Sequence, residues 1–140
     1  MLTPTLTLVA AIQSGKVEYL PEEQTVILTF KGKFVPLPAF QDLLACIAEL
    51  SEKEPVTKLI FDKSSLKVFH QPSMEWYHVE WKPGMLQRGL RVYRKILPQD
   101  SLFLQSVAIG REKILRNNPA FDLQQFNIQY CQDLEEALRS

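Results

Sequence analysis

The chain is poor in sulfur and glycine, and its charges balance. Its two cysteines, Cys46 and Cys131, form no CxxC pair and no disulfide framework. A reducing, cytoplasmic setting is therefore the simplest expectation. Five scattered glycines exclude a phosphate-cradling loop, and the P-loop, dinucleotide-binding and nucleophile-elbow patterns are all absent. With 16 basic and 16 acidic side chains, composition demands neither nucleic acid nor an anionic membrane as partner. The apolar run from Leu6 to Ile12 is too short to span a bilayer and follows no basic leader, so no transmembrane segment is expected.

What is present is one domain's worth of alternating elements. At 140 residues the chain can bury a genuine core without staples. Residues 1–15 read as an extra strand or arm, and 16–140 as a single domain. "KVEYL" (16–20) and "TVILTF" (25–30) flank the polar turn "PEEQ", the pattern of a hairpin. Gly32 breaks the second strand. Phe40, Leu43, Leu44, Ile47 and Leu50 then recur at helical spacing, with Pro38 in the first turn and Pro55 after the end. "KLIFD" (58–62) is a buried-type strand, and a second helix starts near Pro72. "RVYRKIL" (91–97) is a strand, and a helix capped by Asp100 or Ser101 runs to about Arg116. "FNIQYC" (126–131) and "QDLEEALR" complete the order ββαβαβαβα. Helical crossovers between the later strands predict an α/β fold, a mainly parallel sheet with an N-terminal hairpin.

Three segments, "FKGKF", "LIFDKSSL" and "EWYHVEWKPGML", give the chain from Lys16 onward a resemblance to the STAS or anti-sigma-factor-antagonist family, in its small stand-alone bacterial members. SEC14-type lipid-binding domains share part of that fold. The resemblance implies a non-enzymatic regulatory module that acts by protein contact, as a homodimer and without a cofactor. The SEC14 likeness implies, as the alternative, binding of an apolar or lipid-like small ligand. In the regulatory members a strand ends in Asp-Ser-Ser/Thr-Gly and a serine at the helix start is phosphorylated. Here Asp62-Lys63-Ser64-Ser65-Leu66 lacks the glycine, so the phosphoacceptor does not carry over to Ser64, Ser65 or Ser73.

Both histidines and both tryptophans lie in "HQPSMEWYHVEWKPG" (70–84). Glu75 and His78 share a helix face, but a metal centre of that spacing needs a second copy and further ligands from other helices. HExxH is absent as well, and no metal site is expected. At about 100° per residue, Trp76, Val79, Pro83 and Leu86 fall on one side. Met74, Tyr77, Trp81 and Met85 fall on the other with His78, while Glu75 and Lys82 mark one seam and Glu80 and Gln87 the other. A helix on a sheet needs one apolar stripe, and this one has two. The second packs on a neighbouring helix or forms a contact face, for which Met74, Tyr77, Trp81 and Met85 are the candidate partner-binding residues.

Lys82, Arg88, Arg91, Arg94 and Lys95 form a run without acids between Trp81 and Gln99. It is read as a solvated face or an anion-binding patch, with Arg88 and Arg91 as the candidates. Alternation places Val92, Arg94 and Ile96 opposite Tyr93 and Lys95. So charged a strand is expected to be less covered than its neighbours, or partly an edge. Cys46 and Cys131 read as buried, inert thiols, and Gly110 as a site of close helix packing.

Overall fold

The computed structural model describes residues 6–140. One six-stranded sheet is built in chain order: β1 (Thr7–Ile12), β2 (Gly15–Leu20), β3 (Thr25–Phe30), β4 (Lys58–Asp62), β5 (Val92–Ile96) and β6 (Asn127–Cys131). β1 to β3 are antiparallel neighbours, and β3 to β6 are parallel. The architecture is thus α/β with an antiparallel N-terminal part. Part of the segment read as a strand or arm forms β1, which pairs with β2 in this sheet; residues 1–5 of it lie outside the described residues.

The β2–β3 hairpin turns through Pro21–Glu23 and Gln24, whose φ of 51° is left-handed. Each parallel pair is joined by helix. α1 (Leu37–Lys53) links β3 to β4, and α4 (Ser101–Asn117) links β5 to β6. Between β4 and β5 the chain runs through α2 (Gln71–Trp76), a π-helical turn (Tyr77–Trp81) and α3 (Lys82–Leu86). Asp100 caps α4 by accepting from the N–H groups of Leu102 and Phe103, which satisfies donors that a helix start leaves open.

The crossover helices cover one face of the sheet, over Leu28, Phe30, Leu59, Phe61 and Tyr93. A short last helix, α5 (Leu134–Arg139), covers Ile27, Ile60, Ile96 and Cys131 on the other. Each large apolar side chain taken from water contributes roughly 1.5–3 kcal/mol, so the first face, with far the larger cluster, carries most of the stability. Gly110 lies where α4 meets the start of α2. A Cβ there would strike the Phe69 ring and Gln71 Oε1, and the Gln71 amide donates to the Gly110 carbonyl at 3.2 Å. Close approach is the reason for glycine at this position.

β5 corrects one expectation. It is neither an edge nor poorly covered: it lies between β4 and β6, and Tyr93, Arg94, Lys95 and Ile96 are all buried. The alternation was read correctly, but both faces of the strand are covered, so its charges are buried too.

Candidate anion-binding site

Alternation in β4 and β5 aims Phe61, Tyr93 and Lys95 at the helix-covered face, and Lys63 follows at the carboxyl end of β4. Lys63 Nζ stands 5.2 Å from the Phe61 ring centre, and Lys95 Nζ stands 6.0 Å from that ring and 5.1 Å from Tyr77. A third lysine arrives from the helix above. The Lys82 N–H bonds to the Tyr77 carbonyl, five residues back, which closes the π turn. The turn directly precedes Pro83, which has no N–H to offer and whose ring would crowd the Val79 carbonyl in a regular α-helix. In an α-helix, residues five apart point about 140° apart at ~100° each; the wider turn brings Tyr77 and Lys82 toward one face. Lys82, placed on a seam by the regular wheel, is therefore fully buried. Its Nζ sits 5.0, 4.3 and 4.8 Å from the ring centres of Tyr77, Tyr93 and Phe126, without a hydrogen-bond partner.

Among the described residues no carboxylate pairs with any of these three lysines; the ion pairs lie elsewhere. Lys63 Nζ donates to the Met74 thioether at 3.4 Å. Burial therefore decides the protonation. It brings the Lys63 ammonium down to about 8. Burial first, then the charges of Lys82, Lys63 and Arg111, lowers Lys95 well below the ordinary lysine value. Lys82 is lowered well too, by burial and then by Lys63 and Arg111. A ring facing an ammonium returns up to about 2 kcal/mol, whereas taking that ion from water costs several, so desolvation wins. His78 is held neutral by burial and by the same cations, and its Nδ1 has no partner.

Lys63, Lys95, His78 and Arg111 line one pit at the carboxyl ends of the parallel strands, walled by Met74, Val107 and Tyr130. Its free volume is about 20 Å³, room for about one water-sized group. Leu97, Val107, Arg111 and Tyr130 also line an adjoining open groove of about 380 Å³, continued by Leu104 and Ala108. A small cationic pit thus opens into a larger apolar trough. Such an arrangement can hold an anionic head and an apolar body. At neutral pH Lys63 and Arg111 supply positive charge, His78 supplies a neutral nitrogen, and Lys95 supplies an amine of lowered basicity.

The candidate partner-binding stripe is corrected by this geometry. Tyr77 and Met85 are buried against the sheet, and Met74 and Trp81 pack on the same core. That stripe is the inward one. The candidate anion pair is not a convergent site either. Arg88 donates to the Ala48 carbonyl at 2.9 Å and Ser51 Oγ at 3.0 Å, and lies 3.7 Å from Glu52. It lies against the last turns of α1, where a cation is favourable. Arg91 is exposed in the loop before β5. The basic run is divided: Lys82 and Lys95 lie between the sheet and its crossover helices, and Arg94 lies on the face covered by α5.

Ser64 donates to Asp62 Oδ1 through N–H and Oγ, at 3.1 and 2.6 Å, a local turn. Ser65 Oγ donates to the Phe30 carbonyl at 3.0 Å, and buried Ser73 shares a 2.6 Å hydrogen bond with His70 Nδ1. Glu75 accepts from the Asn118 amide at 3.1 Å. Among the described residues no group of three His, Cys, Asp or Glu side chains gathers, and no helix is long and apolar enough to cross a membrane. Cys46 is half-buried and Cys131 buried, both as free thiols. Burial, then Glu49 and Asp42, raises the Cys46 thiol above its ordinary value.

The fold and pit define an α/β protein with a pit at the carboxyl ends of its parallel strands that Lys63 and Lys95 line and that no carboxylate lines among the described residues. No family model, curated protein or solved structure matches the chain.

Sequence reading missed Lys63, Lys95 and Arg111 as site residues. A signal existed for Lys95: it alternates with Tyr93 in a strand flanked by helical connections, and such a strand is covered on its faces. Arg111 had none, because its place depends on how α4 lies over the sheet.

Proposed function

We propose that the protein binds a small anionic amphiphile, such as a carboxylate on an apolar tail, with the anion in the pit and the tail in the trough. The observation that carries this reading is the pit lined by Lys63, Lys95 and Arg111, with no carboxylate among its described lining residues, beside an apolar groove that shares Arg111 with it. Burying cations is costly unless a counter-charge arrives, and an anionic ligand supplies one. This gives chemical form to the lipid-like-ligand alternative above.

Calorimetric titration with octanoate should show saturable binding, with octanol and inorganic phosphate each much weaker. Arg111→Gln, at an exposed position, should weaken octanoate binding by tenfold or more, about 1.4 kcal/mol, as a charged hydrogen bond is lost. Equal binding of octanoate by the two proteins, or none by the wild type, would sink the proposal.

A second reading, a protein-contact module of the STAS-like kind, is favoured by another observation. Leu102 and Ile109, seven residues apart on α4, are 72% and 63% exposed, and that spacing puts them on one helix face. If this face mediates self-association, sedimentation should show a dimer that Leu102→Lys with Ile109→Lys converts to monomer. A wild-type monomer at every accessible concentration would remove the homodimer.

A further inference from the structure

The geometry points to Lys95 as a site of reversible carbamylation by carbon dioxide, a modification of the pit that does not depend on the amphiphile reading. The pit floor carries a primary amine that meets no carboxylate among the described residues. The free volume, about 20 Å³, is that of one or two water-sized groups, so only the smallest anions suit it. Around it stand the Lys63 ammonium and the Arg111 guanidinium, plus a His78 Nδ1 with no hydrogen-bond partner. What this set lacks is one small anion.

Carbamate formation supplies that anion covalently. The Lys95 nitrogen lone pair attacks the carbon of carbon dioxide, a C–N bond forms, and one C=O electron pair moves to oxygen. The nitrogen then releases a proton to solvent, and a neutral amine becomes an anionic carbamate with no redox change. Only an unprotonated amine can attack. Burial, and then the charges of Lys82, Lys63 and Arg111, lowers Lys95 well below the ordinary lysine value, which favours that form. The same cations then stabilise the product, and His78 can donate from Nδ1 in the tautomer that protonates it. Lys82 shares the lowered basicity but lies under three rings and does not line the pit. Lys63 lines it but, at about 8, is mostly protonated at pH 7. Lys95 both lines the pit and has its basicity lowered by burial and by the cations around it.

The test uses the whole wild-type protein, equilibrated with ¹³C-bicarbonate at neutral pH and trapped with a trialkyloxonium salt. Mass mapping of the peptides should place the trapped carbamate on Lys95. The carbamate carbon resonance of the untrapped protein should disappear in Lys95→Met. Label confined to the α-amine or to surface lysines, with Lys95 unmodified, would overturn the assignment. The wild-type map decides the matter even if the variant folds poorly. Octanoate titration is a separate measurement, so either idea can fail while the other stands.

Discussion

Lys82→Met should make the protein more stable at pH 7, by about 1–4 kcal/mol, the range seen when buried ionic groups give way to apolar ones of similar size. Lys82 Nζ is buried among three rings and has no hydrogen-bond partner, so methionine removes a desolvated amine and keeps the volume. In urea the midpoint should rise with an unchanged slope. A fall in the midpoint would mean that the amine forms a favourable interaction in the folded state.

The same lysines set an unusual pH profile. Where the unfolded chain holds more protons than the folded one, stability rises with pH. Lys82 and Lys95 have lowered folded values, and so does Lys63, which goes from 10.5 to about 8. At about 1.4 kcal/mol per pH unit, the Lys63 gap alone amounts to roughly 3 kcal/mol of instability at neutral pH. That penalty is lifted as pH rises from about 8 to 10.5. His78, lowered well below 6.5, adds a further loss of stability in acid, where the unfolded imidazole takes a proton. Tyr77 and Tyr93 act in the opposite sense. Burial raises both above the ordinary 10.0, so ionisation of the unfolded phenols erodes stability beyond pH 10. The maximum should therefore fall at about pH 9–10 rather than between 5 and 8. The Lys82→Met protein should show a shallower rise. A maximum near neutrality in the wild type would show that the lysines are solvated or paired.

Arg94→Ala should be among the most damaging single changes, at about 3 kcal/mol or more, the loss expected when a buried charged hydrogen-bond network is broken. The Arg94 side chain donates from Nε to Ser140 Oγ at 2.9 Å and from Nη2 to the Ser140 carbonyl at 2.8 Å. From Nη1 it donates to the Tyr93 and Asn127 carbonyls, both at 3.0 Å. It thereby ties α5 to β5 and β6. Lys58 adds one bond, to the Leu138 carbonyl at 3.2 Å. A helix of six residues has no stability of its own, so without this clamp α5 should leave the sheet and expose Ile27, Ile60 and Ile96. Hydrogen exchange should then show Leu134–Arg139 unprotected while β4 stays protected. Arg94→Lys should not rescue the loss, since an ammonium cannot reproduce the planar fork. Retained protection across α5 in Arg94→Ala would show that apolar packing alone holds it.

Much of the fold was legible in the sequence because it depends on local periodicity. The β-branched run of β3, the helical spacing from Phe40 to Leu50, the prolines at 38 and 72 and the Asp100 cap all act within a few residues. Alternation in β5 likewise assigned Tyr93 and Lys95 to one face and Arg94 to the other. The site was less legible. The wheel for residues 72–86 assumed a regular α-helix, and Pro83 with its preceding π turn rotates Lys82 from the seam into the core. The two apolar stripes were visible, but nothing local says which one meets the sheet. That choice placed Tyr77 and Met85 inside, which removes the contact-face alternative for their stripe.

The sequence by itself thus determined the element types, their order and the side of β5 on which each charge lies, because backbone period and side-chain direction are local properties. The tertiary structure alone decided that β5 is an interior strand, that both of its faces are covered, and that Lys63, Lys82 and Lys95 are buried near one another with no carboxylate paired to them among the described residues. Coverage and convergence come from how distant segments pack, and desolvation follows from coverage. Whether a lysine is a solvated charge or a buried amine is therefore set by the residues that surround it in space.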